Sequence, residues 1–407
     1  PAVAGPFKEG IMSRTLREAV ILGPARTPIG SFLGALAAVP AVRLGAAAVA
    51  EAVRRAGVAP DQVDEVIMGQ VLQGGCGQAP ARQAAVYAGL PHAVECLTLH
   101  KVCGSGLKAV MVAAQAVAAG DADVVVAGGM ESMSLAPYYL AGARAGFRMG
   151  PQTVLDGMIH DGLWDPYNDF HMGAAAERCV RNLGFSREEQ DAFAVRSYER
   201  AIAAQTDGHF TAEIVPVAVP QGKGDPVMVA VDEEPGKVMF DKIPKLRPAF
   251  DKAGTITAAN ASKINDGAAA VVVMAAEKAA ALGLAPVARI VAQASFAQAP
   301  ADFPTAPAGA IRKALARAGL ALGDIDLFEI NEAFAAVALA AVKELALDPD
   351  RLNVHGGAIA LGHPIGASGA RLLVTLLHAM AARGARRGVA SLCIGGGEAA
   401  ALVVERV

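Results

Sequence analysis

Two residues in glycine-rich segments have the side chains for nucleophilic chemistry. Cys103 lies in KVCGSG, just before a predicted helix, and the positive end of that helix favours the thiolate over the thiol. His363 lies in LGHPIG, where the following proline restricts the backbone, and its imidazole can serve as general base for a cysteine. The Cys103 segment alone is explained equally well by a small buried cysteine beside an ordinary glycine turn.

Two further segments lie at the ends of predicted strands. Cys393 in SLCIGGG is followed by Gly395 to Gly397, whose consecutive N–H groups suit an oxyanion hole or, equally, a phosphate-binding nest. Asn331 in NEAF can orient a water or an oxyanion, and Glu332 beside it can cap the next helix. His355 is better explained as a loop histidine bonded to backbone than as a catalytic group.

The elements that carry these residues alternate along the chain. Apolar runs predict strands at 18–23, 63–71, 96–102 and 123–127, and helical spacing predicts helices at 42–56 and 107–119. Glycines 104–106 are predicted to form a turn, and Gly128 and Gly129 to end the strand before them. Strand, helix and strand in this order predict parallel α/β layers.

An internal repeat divides the chain into two related halves. Residues 48–69 align with 309–331 when Gly57 is laid on Gly319, and 104–110 align with 367–373. We therefore predict an N-terminal half at 12–133 and 264–288, an inserted domain at 134–263, and a C-terminal half at 289–407. One pocket at the junction of the halves is expected to collect all four segments.

Composition excludes several classes of protein. The 407 residues carry a net charge of −3 without a basic block, which argues against nucleic-acid and anionic-membrane partners. Five widely spaced cysteines show no CxxC pair, so we expect reduced thiols, no metal and a cytoplasmic location. We expect no apolar stretch long enough to span a bilayer. Residues 1–11 do not have the pattern of a secretory signal, and Met12 is the expected start.

Seven motifs in order resemble the thiolase family from about residue 19 to 404: KVCGSGLKA, GGMESMS, FHMGAAAE, NASKINDGAAA, NEAF, GGAIALGHPIGASGAR and CIGGGEA. The resemblance implies an α/β fold, the thiolase fold, with two duplicated halves in αβαβα layers and a loop domain inserted in the first. It also implies a homotetramer built as a dimer of dimers. The implied chemistry is acyl exchange and Claisen condensation between coenzyme A thioesters.

The resemblance also implies a role for each residue of the site. Cys103 matches the nucleophile that becomes acylated, and His363 matches the base that activates it. Cys393 matches the second acid/base, which takes the α-proton of the incoming acetyl-CoA. Asn331 with His363 matches one oxyanion hole, often through a water, and the N–H groups of Cys103 and Gly395 match another.

Further matching positions line the acyl and pantetheine tunnel of the family. They are His171, Met172, Ser262 and Phe334, with Leu163 and Phe250 as weaker matches. Two residues depart from the family pattern. Lys263 stands where many relatives carry a small or neutral residue, and it either contacts the tail of coenzyme A or alters its loop. His355 stands where many bacterial relatives carry asparagine.

The forms FHMG and MESMS resemble the short-chain biosynthetic branch, which condenses two acetyl-CoA to acetoacetyl-CoA and CoA. These thioesters are then substrates, no separate cofactor is expected, and the setting is fatty acid metabolism. The alternatives are a 3-ketoacyl-CoA thiolase with a broader chain-length range and a non-catalytic acyl-CoA or lipid carrier. A ketoacyl synthase-like enzyme is disfavoured because it would not need Cys393.

Overall fold

The structure, a computed structural model, describes residues 16–407. The expectations for residues 1–11 and for a start at Met12 lie outside this part of the chain. The strands are β1 (Ala19–Arg26), β2 (Gly30–Ser31), β3 (Glu65–Gly69), β4 (Glu95–Leu99), β5 (Val124–Ser132), β6 (Tyr138–Tyr139), β7 (Leu155–Asp156), β8 (Trp164–Asp165), β9 (Phe170–His171), β10 (Val217–Val219), β11 (Val227–Val229), β12 (Asn265–Ala275), β13 (Ala288–Ala297), β14 (Leu327–Ile330), β15 (Arg387–Ile394) and β16 (Glu398–Arg406). The helices are α1 (Ala41–Ala56), α2 (Pro80–Tyr87), α3 (Ser105–Ala119), α4 (Met172–Leu183), α5 (Arg187–Thr206), α6 (Ala276–Ala281), α7 (Ala306–Ala318), α8 (Ala335–Leu345), α9 (Ala358–Leu361) and α10 (Ile365–Arg383).

One mixed sheet of ten strands connects both halves. Its order is β14-β15-β16-β13-β1-β12-β5-β3-β4, with β2 beside β12. Only β14 with β15, β3 with β4, and β3 with β5 are parallel. The prediction of parallel layers is therefore wrong for the centre of the sheet. The reason is that β12 returns from the inserted region and enters between β1 and β5, antiparallel to both.

The same strand arrangement occurs twice. In the first half β3 is parallel to β5, and β5, β12 and β1 follow as antiparallel neighbours. In the second half β14 is parallel to β15, and β16 and β13 follow in the same way. The halves meet where β1 pairs with β13 through Val20 with Arg289 and Ile21 with Ala288. The predicted duplicated α/β fold is confirmed.

Alternation along the strands produces the layers. In β12, Ala269, Val271 and Val273 pack in one core with α3 and α10, whereas Ala270 and Val272 pack in another with α1 and α2. The outer face of the second half packs against α7 and α8 in a third core. Side chains of a strand alternate between its faces, so each strand layer contacts helices on both sides. The layers are, in order, α1/α2, the strands of the first half, α3/α10, the strands of the second half, and α7/α8.

The middle helices are the most apolar. Segments Val102–Ala119 and Ile365–Arg383 are long and apolar enough to cross a membrane by length and composition alone, contrary to the expectation that no stretch reaches that length. Both are core helices, because α3 and α10 pack on each other and on strands of the sheet. Their composition follows from this burial, which covers 83% of the α10 segment and 56% of the α3 segment.

Two glycines predicted to end a strand lie inside it. Strand β5 continues through Gly128 and Gly129 to Ser132. A Cβ on Gly128 would lie 2.1 Å from the carbonyl oxygen of Ala269, and one on Gly129 would lie 2.2 Å from that of Gly366. These glycines therefore permit close packing on β12 and α10, and the prediction of a strand end was wrong.

The inserted region carries α4, α5 and three small two-stranded pairs, β6 with β7, β8 with β9, and β10 with β11. It packs on the C-terminal half, since α5 contacts α8 and α9, and α4 contacts α8. It thereby places its side chains over the edge of the sheet where β14 and β15 end. The exact domain boundaries stay a prediction.

Candidate active site

Cys103 lies on a tight turn between β4 and α3. Val102 just before it has a left-handed backbone, with φ of 44°, which is strained for a β-branched residue. The Ser105 hydroxyl donates to the Val102 carbonyl at 2.7 Å and accepts from the Lys101 N–H at 2.8 Å. The turn therefore spans residues 101–104, and α3 already begins at Ser105, so the predicted turn at 104–106 was placed too late.

The thiol of Cys103 faces a cavity of about 210 Å³. Backbone N–H groups of Gly395 and of Cys103 itself point at this sulfur, but burial is the larger effect and raises the pKa of Cys103 to about 11. The expectation of a thiolate favoured by the helix end is therefore wrong. Loss of hydration penalises the charged sulfur more than two backbone donors stabilise it.

His363 faces the same cavity from the loop before α10. Its Nδ1 lies 2.6 Å from Ser368 Oγ, and its backbone N–H donates to Asn265 Oδ1 at 3.0 Å. Burial and, to a smaller extent, the positive charge of Arg371 lower the pKa of His363 to about 3. The ring is therefore neutral at physiological pH, the form that can accept a proton from a thiol.

Asn331 directly follows β14 and lies next to His363. Its Nδ2 is 3.3 Å from His363 Nε2, and its Oδ1 is buried without a hydrogen-bond partner. A buried amide oxygen without a partner is uncommon and suits an additional ligand such as a water. The amide and the ring nitrogen therefore lie side by side, and their role as an oxyanion hole stays a prediction.

Cys393 lies near the end of β15 and is only 1% exposed, yet it lines the same cavity as Cys103. Burial raises its pKa well above that of a free thiol, and the nearby Cys103 raises it further. Gly395, two residues on, also lines the cavity. The structure thus brings both thiols, the histidine and the glycine N–H to one chamber.

The cavity wall is largely apolar. All six residues expected to contact substrate line it, namely Leu163, His171, Met172, Phe250, Ser262 and Phe334. His171 caps α4, where its Nδ1 accepts from the Gly173 N–H at 3.0 Å, and its ring stacks on Phe250 at 4.9 Å. Phe250 meets Phe334 edge to face at 5.9 Å. An apolar chamber with few polar groups is typical of a site that binds a small molecule.

The two residues that depart from the family pattern, His355 and Lys263, make other contacts. His355 stacks on His209 at 4.7 Å and is absent from the cavity wall, and burial lowers its pKa to about 4. Lys263 lines the cavity with its stem, but its ammonium bonds to protein oxygens. Within residues 16–407 there is no group of three or more His, Cys, Asp or Glu side chains placed to hold a metal ion.

Sequence reasoning missed the residues that hold this chamber together. The Glu131 carboxylate accepts from the N–H groups of Val71, Leu72 and Gly366, and burial raises its pKa to about 7. Ser368 and Asn265 hold His363 in the same way. The available signal was a polar residue inside an otherwise apolar segment, but its partner is distant in sequence and could not be named.

The fold and the site define a class. The family description "Thiolase, N-terminal domain" matches residues 19–277, and "Thiolase, C-terminal domain" matches residues 284–406. The chain belongs to the thiolase family, as the motifs indicated.

Individual relatives narrow the comparison. The chain is 57% identical to an acetyl-CoA acetyltransferase of Cupriavidus necator over 96% of its own length and 100% of the relative. It is 55% identical to acetyl-CoA acetyltransferase 1 of Arabidopsis thaliana, over 96% of this chain and 94% of that one. The crystal structure of the Bacillus anthracis acetyl-CoA acetyltransferase superimposes with a TM-score of 0.95 at 43% identity, covering 97% of this chain and 100% of that chain. The Acat5 thiolase of Ascaris suum in complex with coenzyme A gives 0.91 at 43% identity, over 96% and 100%.

Proposed function

We propose that this protein is an acetyl-CoA C-acetyltransferase, which condenses two acetyl-CoA to acetoacetyl-CoA and CoA and catalyses the reverse thiolysis. The observation that carries the proposal is that Cys103, Cys393 and His363 share one apolar cavity. A carrier of acyl-CoA would need none of these three groups. The names of the relatives from Cupriavidus necator and Arabidopsis thaliana support the same activity.

The first half-reaction forms a thioester on Cys103. His363 Nε2 accepts the thiol proton as the sulfur attacks the acetyl-CoA carbonyl, and backbone N–H groups stabilise the oxyanion. The C–S bond to CoA then breaks. Cys393, which burial keeps as a thiol, gives its proton to the departing CoA thiolate, and the positive charge just formed on His363 stabilises the resulting Cys393 thiolate. CoA leaves as a thiol, with Cys393 as thiolate and His363 protonated.

The second half-reaction uses that charge pair. The Cys393 thiolate removes an α-proton from a second acetyl-CoA, and the protonated His363 with Asn331 stabilises the enolate oxygen. The enolate carbon attacks the acetyl carbon on Cys103, whose C–S bond breaks to give acetoacetyl-CoA. The Cys103 thiolate recovers its proton from His363. Cys103, Cys393 and His363 are then all neutral again. Ping-pong kinetics are expected because CoA leaves before the second acetyl-CoA reacts with the acyl-enzyme.

The location, the oligomeric state and the metabolic role of the protein are also proposed. We propose a cytoplasmic homotetramer, arranged as a dimer of dimers, that functions in fatty acid metabolism without a separate cofactor. Reduced, widely spaced cysteines support the location, because none of the five is paired in a disulfide. Size-exclusion chromatography with light scattering measures the oligomeric state directly.

The decisive experiment traps the intermediate. Incubation with acetyl-CoA should leave an acetyl group on the peptide that contains Cys103, and Cys103→Ser should remove this label. Thiolysis of acetoacetyl-CoA at full rate by a protein whose Cys103 stays unlabelled would exclude the mechanism. Rates of thiolysis for 3-ketoacyl-CoA substrates of increasing chain length then distinguish the short-chain enzyme from a broad-range thiolase.

A further inference from the structure

The ammonium of Lys263 connects three segments beside the active site. It donates to the Tyr198 hydroxyl on α5 at 2.6 Å, to the Ile359 carbonyl on α9 at 3.2 Å, and to the Ala261 carbonyl at 3.3 Å. An ammonium has three donors, and all three are used. Because the Lys263 side chain also lines the cavity, this junction adjoins the substrate chamber.

The backbone N–H and carbonyl groups of Ile359 form hydrogen bonds with side chains of opposite charge. Its N–H donates to Glu332 Oε2 at 3.2 Å, while its carbonyl accepts from Lys263. Helix α9 has only four residues, so it cannot satisfy its terminal groups internally and depends on such partners. It ends at Leu361, two residues before His363. Its position therefore influences where the catalytic ring lies.

The carboxylate side of this arrangement is also anchored. The Ser197 hydroxyl donates to Glu332 Oε2 at 2.6 Å and accepts from the Gly357 N–H at 3.0 Å. Asn353 donates to the other carboxylate oxygen at 2.8 Å. Glu332 is 1% exposed, so a nearby positive charge offsets part of the cost of burying its negative one.

We propose that Lys263 is a positioning residue whose ammonium holds α9, and through it His363, while fixing the Ser262 segment of the substrate wall. This inference rests on the proposed acetyltransferase function. A neutral side chain of equal length would leave the Ile359 and Ala261 carbonyls and the Tyr198 hydroxyl without their shared donor. The three N–H donors of the charged ammonium, and not the bulk of the side chain, are the functional element, since a neutral amine has only two.

The charge state of Lys263 follows from its neighbours. Burial lowers its pKa to about 8, while the carboxylates of Glu234 and Glu332 raise it. The Tyr198 hydroxyl also faces the ammonium, and burial raises the pKa of that hydroxyl, so it stays neutral. Lys263 is therefore charged at pH 7, and the junction loses its cation as the pH rises through about 8.

The test compares neutral variants with the wild-type enzyme in thiolysis of acetoacetyl-CoA. Lys263→Met keeps the length of the stem and removes the charge, and we expect kcat to fall about 10- to 100-fold as His363 is displaced. Lys313→Met is the matched control, because Lys313 also donates to a backbone carbonyl, that of Ser295 at 3.0 Å, and is absent from the cavity wall. It should keep the wild-type rate.

Chemical rescue with small amines distinguishes the loss of the Lys263 N–H donors from a loss of packing. Lys263→Ala opens space beside the cavity, so ammonium or methylammonium chloride should restore at least part of the lost rate. Tetramethylammonium chloride at equal ionic strength should not, because it has no N–H donor. Lys263→Met with wild-type kcat would overturn the proposal, as would a folded Lys263→Ala that none of the amines rescues.

The wild-type enzyme provides a readout that needs no variant. Its acylation rate should fall as the pH passes about 8, and a rate that stays constant to pH 10 would contradict the proposal. A wild-type protein that never acylates Cys103 would instead refute the acetyltransferase function itself, so the two failures are distinguishable.

Discussion

The hydroxyl of Ser368 lies 2.6 Å from Nδ1 of His363 and donates its own proton to the Pro364 carbonyl at 2.9 Å. The serine oxygen is therefore left to accept, which places the ring proton on Nδ1. Nε2 then keeps its lone pair for the thiol proton, and Asn331 Nδ2 lies 3.3 Å from it. A serine five residues further along the chain thus sets the tautomer that makes His363 a base.

Replacement of Ser368 by alanine should impair acylation of Cys103. Without the acceptor, the Nδ1 proton has no partner and the ring loses its orientation, so we expect the rate to fall about 10- to 100-fold. The burst of CoA released from acetyl-CoA measures this step.

The control for that variant is Ser391→Ala. Ser391 is a buried serine whose hydroxyl donates to the Ala400 carbonyl at 2.9 Å. The alanine variant therefore also loses one buried hydrogen bond. Its burst should remain at the wild-type rate. Equal losses in both variants would mean that Ser368 acts only through stability.

Replacement of Cys393 by alanine should separate the two half-reactions. Cys103 should still be acetylated, because CoA is a good leaving group, but condensation should fall by about 10²- to 10⁴-fold without the base that takes the α-proton. Mass analysis of the Cys103 peptide and an acetoacetyl-CoA assay measure the two steps. Cys179→Ala is the control, since this buried cysteine on α4 is absent from the cavity wall. Normal condensation by Cys393→Ala would contradict the proton-transfer role.

The acylation rate should be independent of pH between about pH 5 and 7.5. The lowered pKa of His363, about 3, keeps the ring neutral above that pH, and the raised pKa of Cys103, about 11, keeps the thiol protonated below that pH. Both reacting forms are therefore fully populated across the interval. An inflection near pH 6.5 in burst experiments would show that His363 titrates as an ordinary histidine. The fall above pH 8 expected from Lys263 should be absent in Lys263→Met.

Replacement of Gly173 by alanine should weaken substrate binding. A Cβ at this position would lie 2.2 Å from the Phe250 ring, which would have to leave its stacked position on His171. We expect an increase in KM for acetoacetyl-CoA and a loss of about 1–3 kcal/mol in the free energy of unfolding. Gly222→Ala, where a Cβ would meet nothing within 4 Å, should change neither quantity. An unchanged KM in Gly173→Ala would show that Phe250 does not shape the binding site.

Much of the fold was predictable because its signals are local. Helical spacing and a terminal glycine located the first helix to within one residue, at Ala41–Ala56 with Gly57 as its cap. The internal repeat predicted two halves, since the strand and helix pattern of one half recurs in the other. The direction of β12 was not predictable. It depends on how the chain returns from the inserted region, and nothing in the strand residues encodes that path.

The sequence by itself determined which side chains we propose to react, because the motifs around Cys103, His363, Asn331 and Cys393 resemble those of the thiolase family in residue type and order. Only the tertiary structure decided their protonation, since burial by residues from distant parts of the chain removes water and disfavours the charged thiolate and imidazolium. The same holds for Lys263, whose partners come from α5 and α9. Chemistry is carried by single residues, but pKa values and positions belong to their three-dimensional surroundings.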